Sequence, residues 1–210
     1  MCGSFRAWFR TTSGWLLLIS QFLLFAGCLA RAARTDITAT RQAGDLAAVH
    51  PMDCMPLAQA SNALAPPDIY KGGVDCIAKA DYESAAKLFL LADVYAKFDT
   101  FRIADKTAGD SPTVLVMNAL VDVSEEKKRN LLDAITQINK DPERLRRLCE
   151  EVRTIGMPNY YPRYMILHGM RAHSSRDPEK DALLKDFDAV GTWNKLQAIV
   201  LRCSKAPSPQ

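Results

Sequence analysis

Five helix-start signals are spaced between residues 66 and 143 of this chain, and they limit the folds open to it. They are Pro66-Pro67-Asp68, Asp81, Ser111-Pro112, Ser124-Glu125-Glu126 and Asp141-Pro142-Glu143. The first turn of a helix leaves four amides without partners. Proline has no amide to leave, a Ser or Asp side chain accepts from one, and acidic residues suit the positive end of the helix. Apolar residues at three- and four-residue spacing follow each signal. Ala85, Leu88, Phe89, Ala92 and Tyr95 form one such stripe, Leu131, Leu132, Ile135 and Ile138 a second, and Leu145, Leu148, Cys149 and Val152 a third. That period belongs to helices packed on one face.

The spacing predicts helices over 69–79, from Asp81 to about Phe98, from Ser111, from Ser124, and from Asp141 to Ile155, where Gly156 stops the helix. Residues 99–110 are polar and read as a short helix plus loop. Further helices are expected over 162–172, about 179–188 and 192–203, with a polar loop from His173 to Lys180. No β-hairpin signal occurs, so the expected fold is all-α, a single helical bundle or an array of α-hairpins.

The N-terminus reads as an export signal. Arg6 and Arg10 precede a mostly apolar run of 13 residues from Trp15 to Gly27, too short for the roughly 20 residues that span a bilayer. A basic flank, a short apolar run and small residues at its end are the layout of a removed signal peptide. Ala26-Gly27-Cys28 adds the pattern of a lipoprotein signal, in which Cys28 becomes the acylated N-terminus, and Ala30-Arg31-Ala32 offers an ordinary cleavage site as the alternative. Two or more acyl chains on Cys28 would hold the protein durably to a membrane. The expected division is therefore a signal peptide (1–27), a flexible tether (28–50), an α-helical domain (51–205) and a loose tail (206–210). Leu29, with no aspartate at that sorting position, implies the outer membrane on its periplasmic side. The alternative is a soluble periplasmic or secreted protein.

Cleavage at Cys28 removes two of the 27 basic residues and none of the 24 acidic ones, so the charge of the remainder is +1. Neither that balance nor any basic run offers a footprint for nucleic acid. Four cysteines then remain for the body: Cys54, Cys76, Cys149 and Cys203. An even number in an oxidising compartment suits two disulfides. Three pairings are open, and Cys54–Cys76 with Cys149–Cys203 is favoured because each joins sequence neighbours across a helix pair. No two of the four have the close spacing of a metal site, and no metal or cofactor is expected.

Asp81 to Ala92 resembles the second helix of a tetratricopeptide-type (Sel1-like) repeat. Gly73 stands twelve residues before Ala85, and Ala85, Phe89 and Ala92 occupy its small, aromatic and small positions. Ile69 and Lys97 depart from the aromatic and the proline found at their places, and residues 99–135 contain no second copy. The resemblance implies closely packed antiparallel helices and a binding scaffold, with nothing catalytic. Small lipoproteins with such helices include immunity proteins that neutralise toxins delivered into the periplasm, and this chain resembles them in size, export signal and helical content.

No Walker, zincin, nucleophile-elbow or dinucleotide motif is present, and histidine is limited to His50, His168 and His173. Two polar groups stand out. Tyr160, Tyr161, Arg163, Tyr164 and His168 lie on neighbouring turns and suit an anion or a partner hot spot, or else a helix start packed on the bundle. Asp99, Arg102, Asp105 and Lys106 read as a partner-binding edge or as a solvated ion-pair face. The expected function is non-enzymatic binding of a protein partner in the envelope, a toxin in the immunity reading. Alternatives are an envelope-assembly scaffold and a periplasmic enzyme using Tyr164, His168 and a carboxylate.

Overall fold

The structure, a computed structural model, describes residues 46–50 and 52–204. The chain divides into Met1–Arg41 and Gln42–Gln210. The signal peptide, Cys28, most of the tether and the tail lie outside the described residues, and no described helix is long and apolar enough to cross a membrane.

The fold is all-α. Eight α-helices and no strands occur among the described residues: α1 Pro66–Ala78, α2 Tyr82–Arg102, α3 Ser111–Leu120, α4 Glu125–Lys140, α5 Pro142–Ile155, α6 Arg163–Ile166, α7 Met170–Ser174 and α8 Ala189–Ile199. The start signals act as their chemistry requires. The Asp81 carboxylate accepts from the Ser84 amide at 3.0 Å, and Asp141 accepts from Glu143 and Arg144 at 2.9 and 3.2 Å. Gly156 ends α5 with φ 91°, a left-handed value that suits glycine.

Helix α2 is the centre. Its buried positions include Ala86, Leu88, Leu91, Val94, Ala96 and Phe98, which lie on every side of the helix, so it must be surrounded by other elements. Helices α1, α3, α4 and α8 all pack on it, and α5 packs on α4. In the α1–α2 hairpin, a Cβ at Gly73 would lie 2.7 Å from the Phe89 ring, so glycine is what lets that ring sit against α1. Tyr95, Phe98, Phe187 and Trp193 extend the core toward the C-terminal part, with ring centroids 5.3–6.1 Å apart. Of the stripe expected on α4, Leu131 and Ile138 are buried, whereas Leu132 is 60% exposed.

Three local expectations are corrected. Residues 179–188 form no helix, because Leu183 pairs with Ile103 in an isolated antiparallel bridge. The amides of Ala104 and Leu184 donate across it to Ala182 and Arg102 at 2.8 and 2.9 Å. An amide committed to another segment cannot close a helical turn, so tertiary pairing overrides the local propensity. The helix expected over 162–172 is split into α6 and α7 around Gly169, where the Asp105 carboxylate accepts from the Arg171 amide at 2.8 Å. Finally, α2 runs on to Arg102. Lys106 Nζ caps its end by donating to the carbonyls of Ile103, Thr100 and Phe101 at 2.7, 3.1 and 3.3 Å.

The end of the expected tether is fastened to the body. The amides of Val49 and His50 each donate to the Asp68 carboxylate at 2.8 Å, and Leu46 and Met52 are buried.

Candidate functional site

The two polar groups singled out in the sequence meet in one place. Asp99, on the last turns of α2, is fully buried. Its Oδ2 accepts from the hydroxyls of Tyr164 at 2.6 Å and Tyr160 at 2.8 Å, and its Oδ1 accepts from Arg102 Nε at 2.7 Å. Arg102 Nη2 also approaches Oδ1 at 2.7 Å, as an ion-pair contact without the alignment of a second hydrogen bond. The guanidinium carbon lies 5.0 Å from the Tyr160 ring centroid and 5.4 Å from that of Phe98. Its charge is therefore shared between one carboxylate and two aromatic faces.

Burial pushes the Asp99 carboxyl up to about 6, while the charge of Arg102 and the bonds from Tyr164, Tyr160 and Arg102 hold it down. Burial, reinforced by the Asp99 charge, drives both tyrosine phenols well above their ordinary value, so both stay donors. The cluster is a closed ion-and-hydroxyl hub that ties the 160–166 segment to α2. The solvated-face expectation for Asp99 and Arg102 is corrected, since α2 continues past Phe98 and turns Asp99 inward. These side chains are spent on one another.

The remaining candidates are distributed around the hub. Tyr161 is 44% exposed, and its hydroxyl reaches the Glu179 carbonyl at 3.3 Å. Exposed Arg163 donates from Nε to the Glu179 carboxylate at 2.8 Å. His168 Nε2 lies 3.3 Å from Asp110 Oδ1. Tyr164 and His168 are thus set against two different carboxylates. Asp105 has partners of its own, accepting from the amide and hydroxyl of Thr107 and from the amide of Arg171.

Two cysteine pairs lie at disulfide distance, Cys54–Cys76 and Cys149–Cys203. The first binds the segment before α1 to α1 itself, where the Cys54 amide also donates to Asp75 at 2.8 Å. The second fixes Cys203, just beyond α8, to α5. Cys54, Cys76 and Asp81 gather three ligand atoms within 4.8 Å, but with the two sulfurs joined to each other, neither is available as a thiolate.

Two further side chains hold this region. Tyr95 donates from its hydroxyl to the Gly156 carbonyl at 2.8 Å, and Asn62 donates to the Met157 carbonyl at 3.0 Å, so the turn after α5 is fixed from two directions. Tyr95 was legible as a core residue of α2, but its partner 61 positions away was not.

No family model matches this chain, and no curated protein or solved structure matches it.

Proposed function

We propose that the protein is an exported, lipid-anchored helical protein that binds a protein partner in the envelope and catalyses no reaction. The observation that supports this reading is the contrast within the Tyr160–Tyr164 run. Tyr160 and Tyr164 are consumed by Asp99, while Tyr161 and Arg163 stay at the surface on the same short segment. Tyrosine and arginine are the residue types that dominate interface energetics when held on a rigid base. Glu179 holds both from the side, which lowers the entropy lost when a partner covers them. Met170 and Leu184, both exposed, lie on the neighbouring α7 and bridge segments and add apolar area.

The partner proposed is a toxin delivered into the periplasm, on the strength of the resemblance to immunity lipoproteins. Occlusion by a broad face needs no reactive residue. The test is co-expression with the product of the adjacent gene, scoring co-purification and survival. Protection that is lost in the Tyr161→Ala/Arg163→Glu double variant, at unchanged circular dichroism, supports the reading. Neither binding nor protection by the wild-type protein overturns it. The anchor has its own test: Cys28→Ser should move the protein from the membrane to the soluble fraction, and unchanged fractionation overturns lipidation at Cys28.

A further inference from the structure

Three ligand atoms meet where the segment before α1, the last turn of α1 and the start of α2 come together. Cys54 Sγ, Cys76 Sγ and an Asp81 carboxylate oxygen all lie within 4.8 Å of one another. While the sulfurs are joined, the group is a cross-link with a carboxylate beside it. Reduction changes its chemistry, because two thiols and a carboxylate then share one small space.

Each of the three residues is positioned by a bond other than the disulfide. The Cys54 amide donates to Asp75 Oδ2 at 2.8 Å, and Lys79 Nζ donates to the same oxygen at 2.7 Å. The Cys76 carbonyl accepts from the Asp81 amide at 2.9 Å, which fixes the turn between α1 and α2. Asp81 divides its carboxylate between two tasks. Its Oδ1 caps α2 through the Ser84 amide at 3.0 Å, and its Oδ2 lies 4.0 Å from Cys54 Sγ. The cap thus aims the second oxygen at the sulfurs. Cys149 and Cys203 supply the contrast: among the described residues, no His, Asp or Glu completes such a group with them.

Cys54 is half-buried and Cys76 fully buried, so a dithiol reductant attacks at Cys54 Sγ. The bond between the two sulfurs breaks, and Cys76 leaves as a thiolate. The reductant's second thiol then displaces Cys54 as a thiolate, and the reductant departs as its own disulfide, having given up two electrons. Two thiolates beside the Asp81 carboxylate repel one another, so protons or a cation must neutralise them. Sulfur ligands select a thiophilic ion, and the harder carboxylate favours zinc over Cu(I). Zinc–sulfur bonds of about 2.3 Å set two tetrahedral sulfurs about 3.8 Å apart, a small opening of the pair.

We propose that in the reduced protein Cys54, Cys76 and Asp81 bind one zinc-class divalent cation, with water in the fourth position on the exposed side of Asp81. Binding releases the thiol protons, and a metal link replaces the sulfur–sulfur link between the same three segments.

The test is titration of the purified protein with zinc chloride, with a chromophoric chelator reporting the free ion and circular dichroism recorded on each sample. A phosphine serves as the reductant, because a dithiol would itself chelate zinc. The reduced protein should take up one zinc per chain, and the oxidised protein should take up none. Asp81→Asn keeps the N-cap, since its amide oxygen still accepts from Ser84, but loses the charged ligand. It should weaken zinc binding by at least about tenfold, the loss that even an outer partner of a metal ligand causes. Cys54→Ser/Cys76→Ser, reduced in the same way, keeps the other cysteine pair and should lose the ion. No saturable uptake by the reduced wild-type protein overturns the site. So does an affinity unchanged in Asp81→Asn, uptake that survives in Cys54→Ser/Cys76→Ser, or equal uptake by the oxidised protein.

Discussion

The Tyr164 hydroxyl donates to Asp99 Oδ2 at 2.6 Å across 65 positions of sequence, and the contact is fully buried. It joins a short late helix to the central one through a charge that water does not reach. Such a charge is tolerated only when both oxygens are hydrogen-bonded and a counter-ion is present, and Tyr160 and Arg102 complete that set.

Removing the carboxylate should therefore cost far more than removing one of its donors. Asp99→Ala leaves Arg102 largely buried without its anion and should destabilise the fold by about 3–5 kcal/mol. Tyr164→Phe or Tyr160→Phe removes one bond to a charged acceptor and should cost about 1.5–3 kcal/mol. Urea unfolding of the three variants measures this ordering. Equal small losses, as on a solvated face, would contradict it.

The same carboxylate sets a pH dependence. Its folded value, about 6, lies above the ordinary 3.8, so between these limits the native state binds more protons than the unfolded chain. Its contribution to stability is then fully present below pH ~3.8 and is lost as pH rises through ~6. The unfolding free energy of the wild-type protein, taken relative to Asp99→Asn, should fall across pH 4 to 6 and level off above. A difference that rises over this window would reverse the assignment. Taking the difference removes the contributions of Asp75, Glu125 and Glu143, whose values are lowered chiefly by hydrogen bonds from Lys79, Lys128 and Arg146 respectively.

Much of this hub was within reach of the sequence. Ala85, Leu88, Ala92 and Tyr95 mark the buried stripe of α2, and four residues beyond Tyr95 stands Asp99, so the helical period already pointed it inward. The polarity of residues 99–110 hid that by suggesting the helix had ended. Caps were legible because they are local: Asp81, Ser124 and Asp141 each bond an amide two or three residues on. The bridge between Ile103 and Leu183 was not legible. Its energy comes from two segments 80 positions apart, neither of which carries a strand pattern. The tyrosine run was recognisable as a cluster, yet only the fold could divide it into Tyr160 and Tyr164 facing Asp99 and Tyr161 facing solvent.

The two cysteine pairs should differ in what they protect. Cys149–Cys203 closes a separation of 54 residues and Cys54–Cys76 one of 22, and loss of a native bridge costs about 2–5 kcal/mol. Cys203 is near the end of the described chain, so its replacement by serine should release amide protection locally around α8 and residues 200–204. Cys54→Ser should instead loosen residues 52–55, while the amides of Val49 and His50 remain held by Asp68. Hydrogen exchange resolved by residue distinguishes the two patterns, and uniform loss of protection in both variants would contradict them.

The hairpin of α1 and α2 makes the sharpest steric claim. Gly73 faces the Phe89 ring so closely that a Cβ would lie 2.7 Å from both Cδ2 and Cε2. Gly73 has an ordinary helical φ, so alanine would gain in helix propensity by about 1 kcal/mol. Overpacking a tight core contact costs about 1–3 kcal/mol, so Gly73→Ala should still be net destabilising. Shortening the opposing side chain supplies the control. Phe89→Leu alone leaves a cavity and should also destabilise, but in the Gly73→Ala/Phe89→Leu pair the added methyl occupies part of the vacated space. The two losses should then sum to less than their separate values, giving a coupling energy of about 0.5–3 kcal/mol in a double-mutant cycle. Strict additivity would mean that the ring does not bear on Gly73, and that another feature brings these two helices together.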